Sequence, residues 1–100
     1  NGERWLIEVK GCTLAENGTG LFPDAPTKRG AKHLRELAKA AETGYRTAIA
    51  FVIMLRGVEE VRANTVVDRE FSEEFSRATA NGVSVFCIPC ECTEDTVQLR

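Results

Sequence analysis

From Thr47 to Leu55 the chain is apolar at almost every position, and this run limits the fold more than any other stretch. It has the length of a strand and is partly β-branched and aromatic, so the simplest reading is a central β-strand covered on both faces, as in parallel sheets. Its longest unbroken apolar part, Ala48 to Leu55, falls far short of the roughly 18 residues a membrane span needs. No membrane partner is expected.

On either side of that run, strand and helix periods alternate. Trp5 to Lys10 alternates with period two, which puts Leu6, Glu8 and Lys10 on one face and Trp5, Ile7 and Val9 on the other. The next sixteen residues are dense in Gly, Asn, Pro and Asp and read as a long loop, with room for a small hairpin about Glu16-Asn17-Gly18-Thr19-Gly20. Thr27 is placed to cap a helix from Lys28 to about Thr43, with Leu34, Leu37, Ala38 and Ala41 as its apolar stripe and Gly44 as its stop. Asp68 is placed to cap a second helix to about Asn81, with Phe71, Phe75 and Ala78 inward and Gly82 as stop. Val83 to Ile88 reads as a last buried strand, and Thr96-Val97-Gln98-Leu99 as an added edge strand. This order predicts an α/β fold with a largely parallel sheet and right-handed crossovers, in one domain over residues 1–100.

A hydrophobic content of 43% with 28% charged residues excludes a disordered chain. The net charge of −2 excludes a uniformly basic coat for nucleic acid, but the charge is unevenly spread. Residues 1–26 hold two basic and four acidic side chains, residues 27–46 six and two, and residues 47–100 five and nine. The first helix therefore carries the cations. At about 100° per residue, Lys28, Lys32, Arg35 and Lys39 fall within a sector of about 60°, a basic ridge. Arg29, His33 and Glu36 form a third sector beside the apolar face. The N-terminus, Asn1-Gly2-Glu3-Arg4-Trp5, shows no basic segment followed by an apolar one, so nothing points to export and a cytoplasmic location is expected. Of four cysteines, Cys87, Cys90 and Cys92 crowd one stretch and Cys12 stands apart. Reduced thiols are the favoured reading. Cys87-Ile88-Pro89-Cys90 lies in strand-like sequence, unlike a redox pair at a helix start, and Cys12 with His33 is a poor second half for a zinc site.

Glu8 and Lys10, two apart on one strand, emerge on the same side, and neither charge is stable buried without a partner. One reading is a metal-dependent phosphodiester site: Glu8 offers a hard oxygen ligand to Mg²⁺, and Lys10 orients an attacking water or neutralises the phosphate. The chemistry would be metal-assisted hydrolysis, and it needs a further carboxylate. The other reading is an ion pair on a solvated sheet edge, since Glu-x-Lys alone is a weak signal. Asp24, in Phe22-Pro23-Asp24-Ala25-Pro26, is the next carboxylate, although an Asx turn before the helix is the simpler role. His33 is open to two readings, a proton shuttle or phosphate contact and an ordinary surface imidazole. The basic ridge either contacts phosphates or is merely solvated.

Taken together, Ile7-Glu8-Val9-Lys10, Thr13-Leu14, Phe22-Pro23-Asp24-Ala25-Pro26-Thr27, Arg29-Gly30 and Lys32-His33-Leu34-Arg35-Glu36-Leu37 resemble the sugar fermentation stimulation protein family (SfsA). The likeness continues more loosely through 47–55, Asp68 with its helix, and Gly82-Val83. It implies a restriction-endonuclease-like C-terminal domain, a mixed sheet flanked by helices, preceded in full-length members by a small OB-type barrel. It also implies non-specific DNA binding and a role in regulating sugar (maltose) utilisation. By the same resemblance, Glu8 and Lys10 match the acidic and basic members of the nuclease motif, while Lys32, His33 and Glu36 match the helix lining the same cleft. An aspartate on the preceding strand would complete the ligands; it would lie upstream of Asn1, with the barrel and the first core strands, so this chain reads as N-terminally truncated. Loss of those strands would expose a sheet edge that pairing between copies could cover.

Three functions follow as expectations. The first is a DNA-binding domain in which Lys28, Lys32, Arg35, Lys39 and His33 contact phosphates. The second is a Mg²⁺-dependent DNA endonuclease with Glu8 and Lys10 catalytic and Glu8 the metal ligand, largely inactive in this piece. The third is a protein-interaction module without nucleic acid.

Overall fold

The computed structural model describes residues 3–92 and 97–99. In chain order its elements are β1 (Trp5–Cys12), β2 (Leu14–Glu16), β3 (Thr19–Phe22), α1 (Lys28–Glu42), β4 (Arg46–Ile53), β5 (Val61–Ala63), α2 (Arg69–Ala80), β6 (Ser84–Cys92) and β7 (Val97–Leu99). The main sheet has the order β1-β4-β6-β7; β1, β4 and β6 run parallel, and β7 is antiparallel to β6. A smaller sheet has the order β2-β3-β5. The class is α/β, a mixed sheet with flanking helices, and β4 is central to the main sheet.

Both helices begin and end where their local chemistry predicts. Thr27 accepts the Gly30 N–H at 2.9 Å and Asp68 accepts the Phe71 N–H at 3.0 Å, each satisfying a donor that the first helical turn leaves free. Thr43 and Asn81 close the helices, followed by Gly44 and Gly82 at positive φ. The apolar stripe of α1 packs Leu34 and Leu37 onto Ile49, Phe51 and Ile53 of β4. From α2, Phe71 and Ala78 join the same core. Phe22, Phe51, Phe71 and Phe75 form a chain of tilted, edge-on and stacked rings with centroids 5.3–6.1 Å apart. Burying Phe51 and Phe71 completely contributes about 1.5–3 kcal/mol each, which makes this cluster the centre of the fold.

Among the described residues only one face of the main sheet is covered by helices, contrary to the expectation of a strand covered on both. Among the described residues the outer face carries Trp5, Ile7, Val9 and Phe86, each at least 40% exposed. Ala48 and Ala50 on that face are still buried, because their small side chains let the neighbouring strands' large ones close over them. Trp5 and Phe86 approach to 6.3 Å between ring centroids across β4.

The stretch after β1 is also more ordered than its composition predicts. The hairpin expected about Glu16 to Gly20 is present and longer than foreseen, pairing β2 with β3 around a turn at Asn17 and Gly18, both at positive φ as a tight two-residue turn needs. Strand β5 has no counterpart in the sequence reading, since three residues are too few to show a period. It is made by pairing: β3 and β5 run parallel, and Gly20 N–H donates to the Glu60 carbonyl at 2.8 Å. The main sheet is largely parallel, as expected, and mixed only through its final strand, which turns back on β6. Asn1, Gly2, Thr96 and the Cys92 thiol lie outside the described residues. Among those residues no helix is long and apolar enough to cross a membrane.

Candidate functional site

Period-two alternation along β1 places Glu8, Lys10 and Cys12 on the helix side of the sheet, opposite Ile49, Phe51 and Ile53 of β4. Cys12 is fully buried in the core, whereas Glu8 and Lys10 lie nearer the strand's start and meet the flank of α1. His33 descends from that flank. Its Nδ1 is 2.8 Å from Lys10 Nζ and 3.1 Å from Glu8 Oε1, and the two charged groups are 3.8 Å apart. The side chains of Lys10 and His33 are 16% exposed and that of Glu8 is 34%, so the cluster opens to solvent on its carboxylate side.

An ammonium this far withdrawn from water needs partners, because an uncompensated buried charge costs several kcal/mol. Lys10 has two, the imidazole and the carboxylate. A single Nδ1 cannot both accept from Lys10 and donate to Glu8, so the ring serves one at a time. With the Nδ1 lone pair toward Lys10, the ring's proton sits on Nε2. The cluster thus brings a lysine charge, a carboxylate and an imidazole edge within 3.8 Å of one another.

As a metal centre the cluster is incomplete. Mg²⁺ wants near-octahedral oxygen ligation with one or two carboxylates. Glu8 suits one such position, but among the described residues no three metal-ligating side chains come together. Asp24 is exposed and makes no hydrogen bond among the described residues, so the expected Asx turn is absent. The nearby Thr27 N–H donates to Asp68 Oδ2 at 2.7 Å.

The basic ridge divides. Lys28, Lys32 and Lys39 are exposed and without acidic partners among the described residues. Arg35 is committed elsewhere: its guanidinium reaches Glu74 at 3.1 Å and Glu70 at 3.3 Å on α2, and these contacts, Glu74 first, raise its pKa further. Arg35 therefore ties the two helices together and is not a free phosphate contact. The signal for this lay in the four-residue spacing of Glu70 and Glu74, which puts two acids on one helix face. Arg29 and Glu36, on the flank of α1 that His33 uses, are exposed.

Cys12 and Cys87 are in no disulfide among the described residues, and the Cys90 thiol donates to the Ile53 carbonyl at 2.7 Å. Burial, outweighing hydrogen bonds to the Leu14 and Leu21 carbonyls, raises the Cys12 pKa. A separate open cavity of about 510 Å³ lies between the β2–β3 turn and the segment after β4, lined by Thr13, Leu14, Asn17, Leu55, Arg56 and Val58 among others. It contains none of the clustered ionisable groups of β1 and α1.

A family model described as "Sugar fermentation stimulation protein RE domain" matches residues 1–96. A sugar fermentation stimulation protein homolog of Desulfitobacterium hafniense (strain DSM 10664 / DCB-2) is 41% identical over 98 residues, covering 97% of this chain and 43% of that protein. One of Pyrobaculum islandicum is 43% identical over 91 residues, covering 91% and 39%. The solved structure "The structure of Pyrococcus Furiosus SfsA in complex with Ca2+" superposes with a TM-score of 0.89 at 27% identity, over 96% of this chain and 42% of that one. The chain thus spans about two fifths of the length of the relatives it matches.

Proposed function

The chain belongs to the sugar fermentation stimulation protein family, and on that premise we propose that it is a sequence-independent DNA-binding domain of nuclease-like architecture. The convergence of Glu8, Lys10 and His33 carries this reading. Lys10 supplies the charge that meets a phosphate, His33 holds the ammonium in place and offers its other nitrogen, and Lys28, Lys32 and Lys39 extend the positive field over α1. Contacts of this kind read the backbone and not the bases, which suits a regulator of sugar (maltose) metabolism acting in the cytoplasm without a strict site. Binding of a fluorescent random-sequence duplex should weaken steeply with salt, with a slope of log K against log salt of about −3 to −4 for four phosphate contacts. A flat isotherm at low salt overturns the reading and favours a protein-interaction module.

A second reading, metal-dependent cleavage of DNA, is favoured by one observation: the Pyrococcus furiosus relative was solved with Ca²⁺, a hard cation that takes oxygen ligands. Glu8 would hold one position of such an ion, Mg²⁺ in the working enzyme, with the further carboxylate supplied from outside the described residues. The bound ion would polarise the phosphodiester and lower the pKa of a water. Lys10 would neutralise the phosphate, and His33 would keep Lys10 oriented. A protein of the relatives' full length should nick plasmid in Mn²⁺, and Glu8→Gln should abolish this; intact substrate in every metal tested refutes cleavage. Among the described residues β1 pairs only with β4, so self-association through its other edge belongs to the same proposal. A monomeric mass by light scattering counts against it.

A further inference from the structure

We infer that Arg29 seats a second phosphate beside the Glu8-Lys10-His33 cluster, so that the strand contacting the cluster leaves it toward the N-terminal end of α1, with the lysine ridge adding to the field from its side. This rests on the DNA-binding reading above. Along a helix of about 100° per residue, Arg29 is about 40° from His33, whereas Lys32, Lys39, Lys28 and Arg35 are about 100°, 120°, 140° and 160° away. Of the cations on α1, Arg29 alone shares the flank that meets β1. It stands one turn, about 6 Å, before His33, the scale of a single backbone step of an extended strand. Arg35, which the sequence pattern groups with the ridge, faces the opposite way and is held by Glu70 and Glu74.

Charge along that flank has a direction. Arg29 is exposed, with no acidic partner among the described residues, and the first turn of α1 contains no acid. On the far side of His33, Glu36 is about 60° around the helix and repels a phosphate. The strand's path is therefore attractive toward the start of α1 and repulsive toward its end. The start of α1 is tied to the start of α2 by the Thr27 N–H to Asp68 Oδ2 bond, and α2 follows the strand that leaves the end of β4. The path thus runs toward the carboxyl ends of the parallel strands. Arg29's planar fork suits a phosphate that must be gripped at one angle, a task for which a lysine point charge is less selective.

The test compares Arg29→Gln, Arg35→Gln and Glu36→Gln with the unmodified protein, using a fluorescent random-sequence duplex and its single strand over a range of salt. Arg29→Gln should reduce the magnitude of the log–log salt slope by about one and weaken binding several-fold for all sequences alike. Arg35→Gln should leave the slope unchanged, and Glu36→Gln should tighten binding. Circular dichroism spectra that match the unmodified protein exclude a folding effect at these exposed positions. If the unmodified protein binds with a steep salt slope and Arg29→Gln keeps that slope, the assignment is overturned while DNA binding stands. A flat isotherm for the unmodified protein overturns both.

Discussion

Replacing Asp68 with alanine should destabilise the domain by about 3 kcal/mol, far more than an ordinary helix cap. The carboxylate does two things at once. Its Oδ1 accepts the Phe71 N–H at 3.0 Å and caps α2, a contribution of about 1 kcal/mol. Its Oδ2 accepts the Thr27 N–H at 2.7 Å, a charge-assisted bond worth about 1.5–3 kcal/mol that also fixes where α1 begins. The side chain is almost fully buried, so water cannot readily replace either bond. Urea unfolding monitored by circular dichroism, with the slope m unchanged, reads the loss directly. At about 4–8 °C per kcal/mol for a domain of this size, the melting point should fall by about 12–24 °C. Asp68→Ser separates the two roles, since its hydroxyl keeps the cap but cannot also reach Thr27; it should lose about 2 kcal/mol. If the alanine variant loses less than 1 kcal/mol, or the serine variant retains full stability, the link between the helix starts contributes nothing and the reasoning fails.

Other expectations follow from single contacts. Thr47 is buried with its Oγ1 unpartnered, so Thr47→Val should stabilise by about 1 kcal/mol in the same urea assay; a loss would mean the hydroxyl has a partner. At Gly20 an added Cβ would lie 2.9 Å from Cys12 Sγ and 3.1 Å from the Glu60 carbonyl oxygen, so Gly20→Ala should cost about 1–3 kcal/mol. Pairing it with Cys12→Ala should recover part of that, as a double-mutant cycle would show. The Cys12 thiol has its pKa raised in the folded state, so the folded protein holds its proton where the unfolded chain has lost it. Stability should be intact below about pH 8.5 and fall as pH rises beyond it, and Cys12→Ala should flatten that alkaline decline in unfolding measured from pH 7 to 10.5.

Two parts of the candidate site differ in how visible they were before the fold was known. Glu8 and Lys10 stand two apart on a strand, so their common face is a local property of the pleat. That His33 would be the side chain to meet them depends on the rotation of α1 over β1, which a helical wheel narrows but does not set. The same wheel grouped Arg35 with Lys28, Lys32 and Lys39. Only the position of α2 removes it from that group, because Glu70 and Glu74 lie some 35 residues downstream and reach Arg35 through helix packing. The sheet's bare outer face was hidden for a related reason: Ala48 and Ala50 are small enough to be buried by Trp5, Ile7, Val9 and Phe86, so an apolar run does not by itself mean two covering layers.

What the sequence alone determined is everything that rests on neighbours within a few residues. The caps at Thr27 and Asp68, the stops at Gly44 and Gly82, the apolar stripes of both helices and the strand at the centre are set by hydrogen bonds and periodicities that close over one or two turns. What only the tertiary structure decided is pairing between distant segments. The parallel contact of β3 with β5, the bond from Thr27 to Asp68 and the meeting of His33 with Glu8 and Lys10 each join residues more than twenty positions apart. Their partners are chosen by the burial of a shared core, a property of the whole chain that no local pattern encodes.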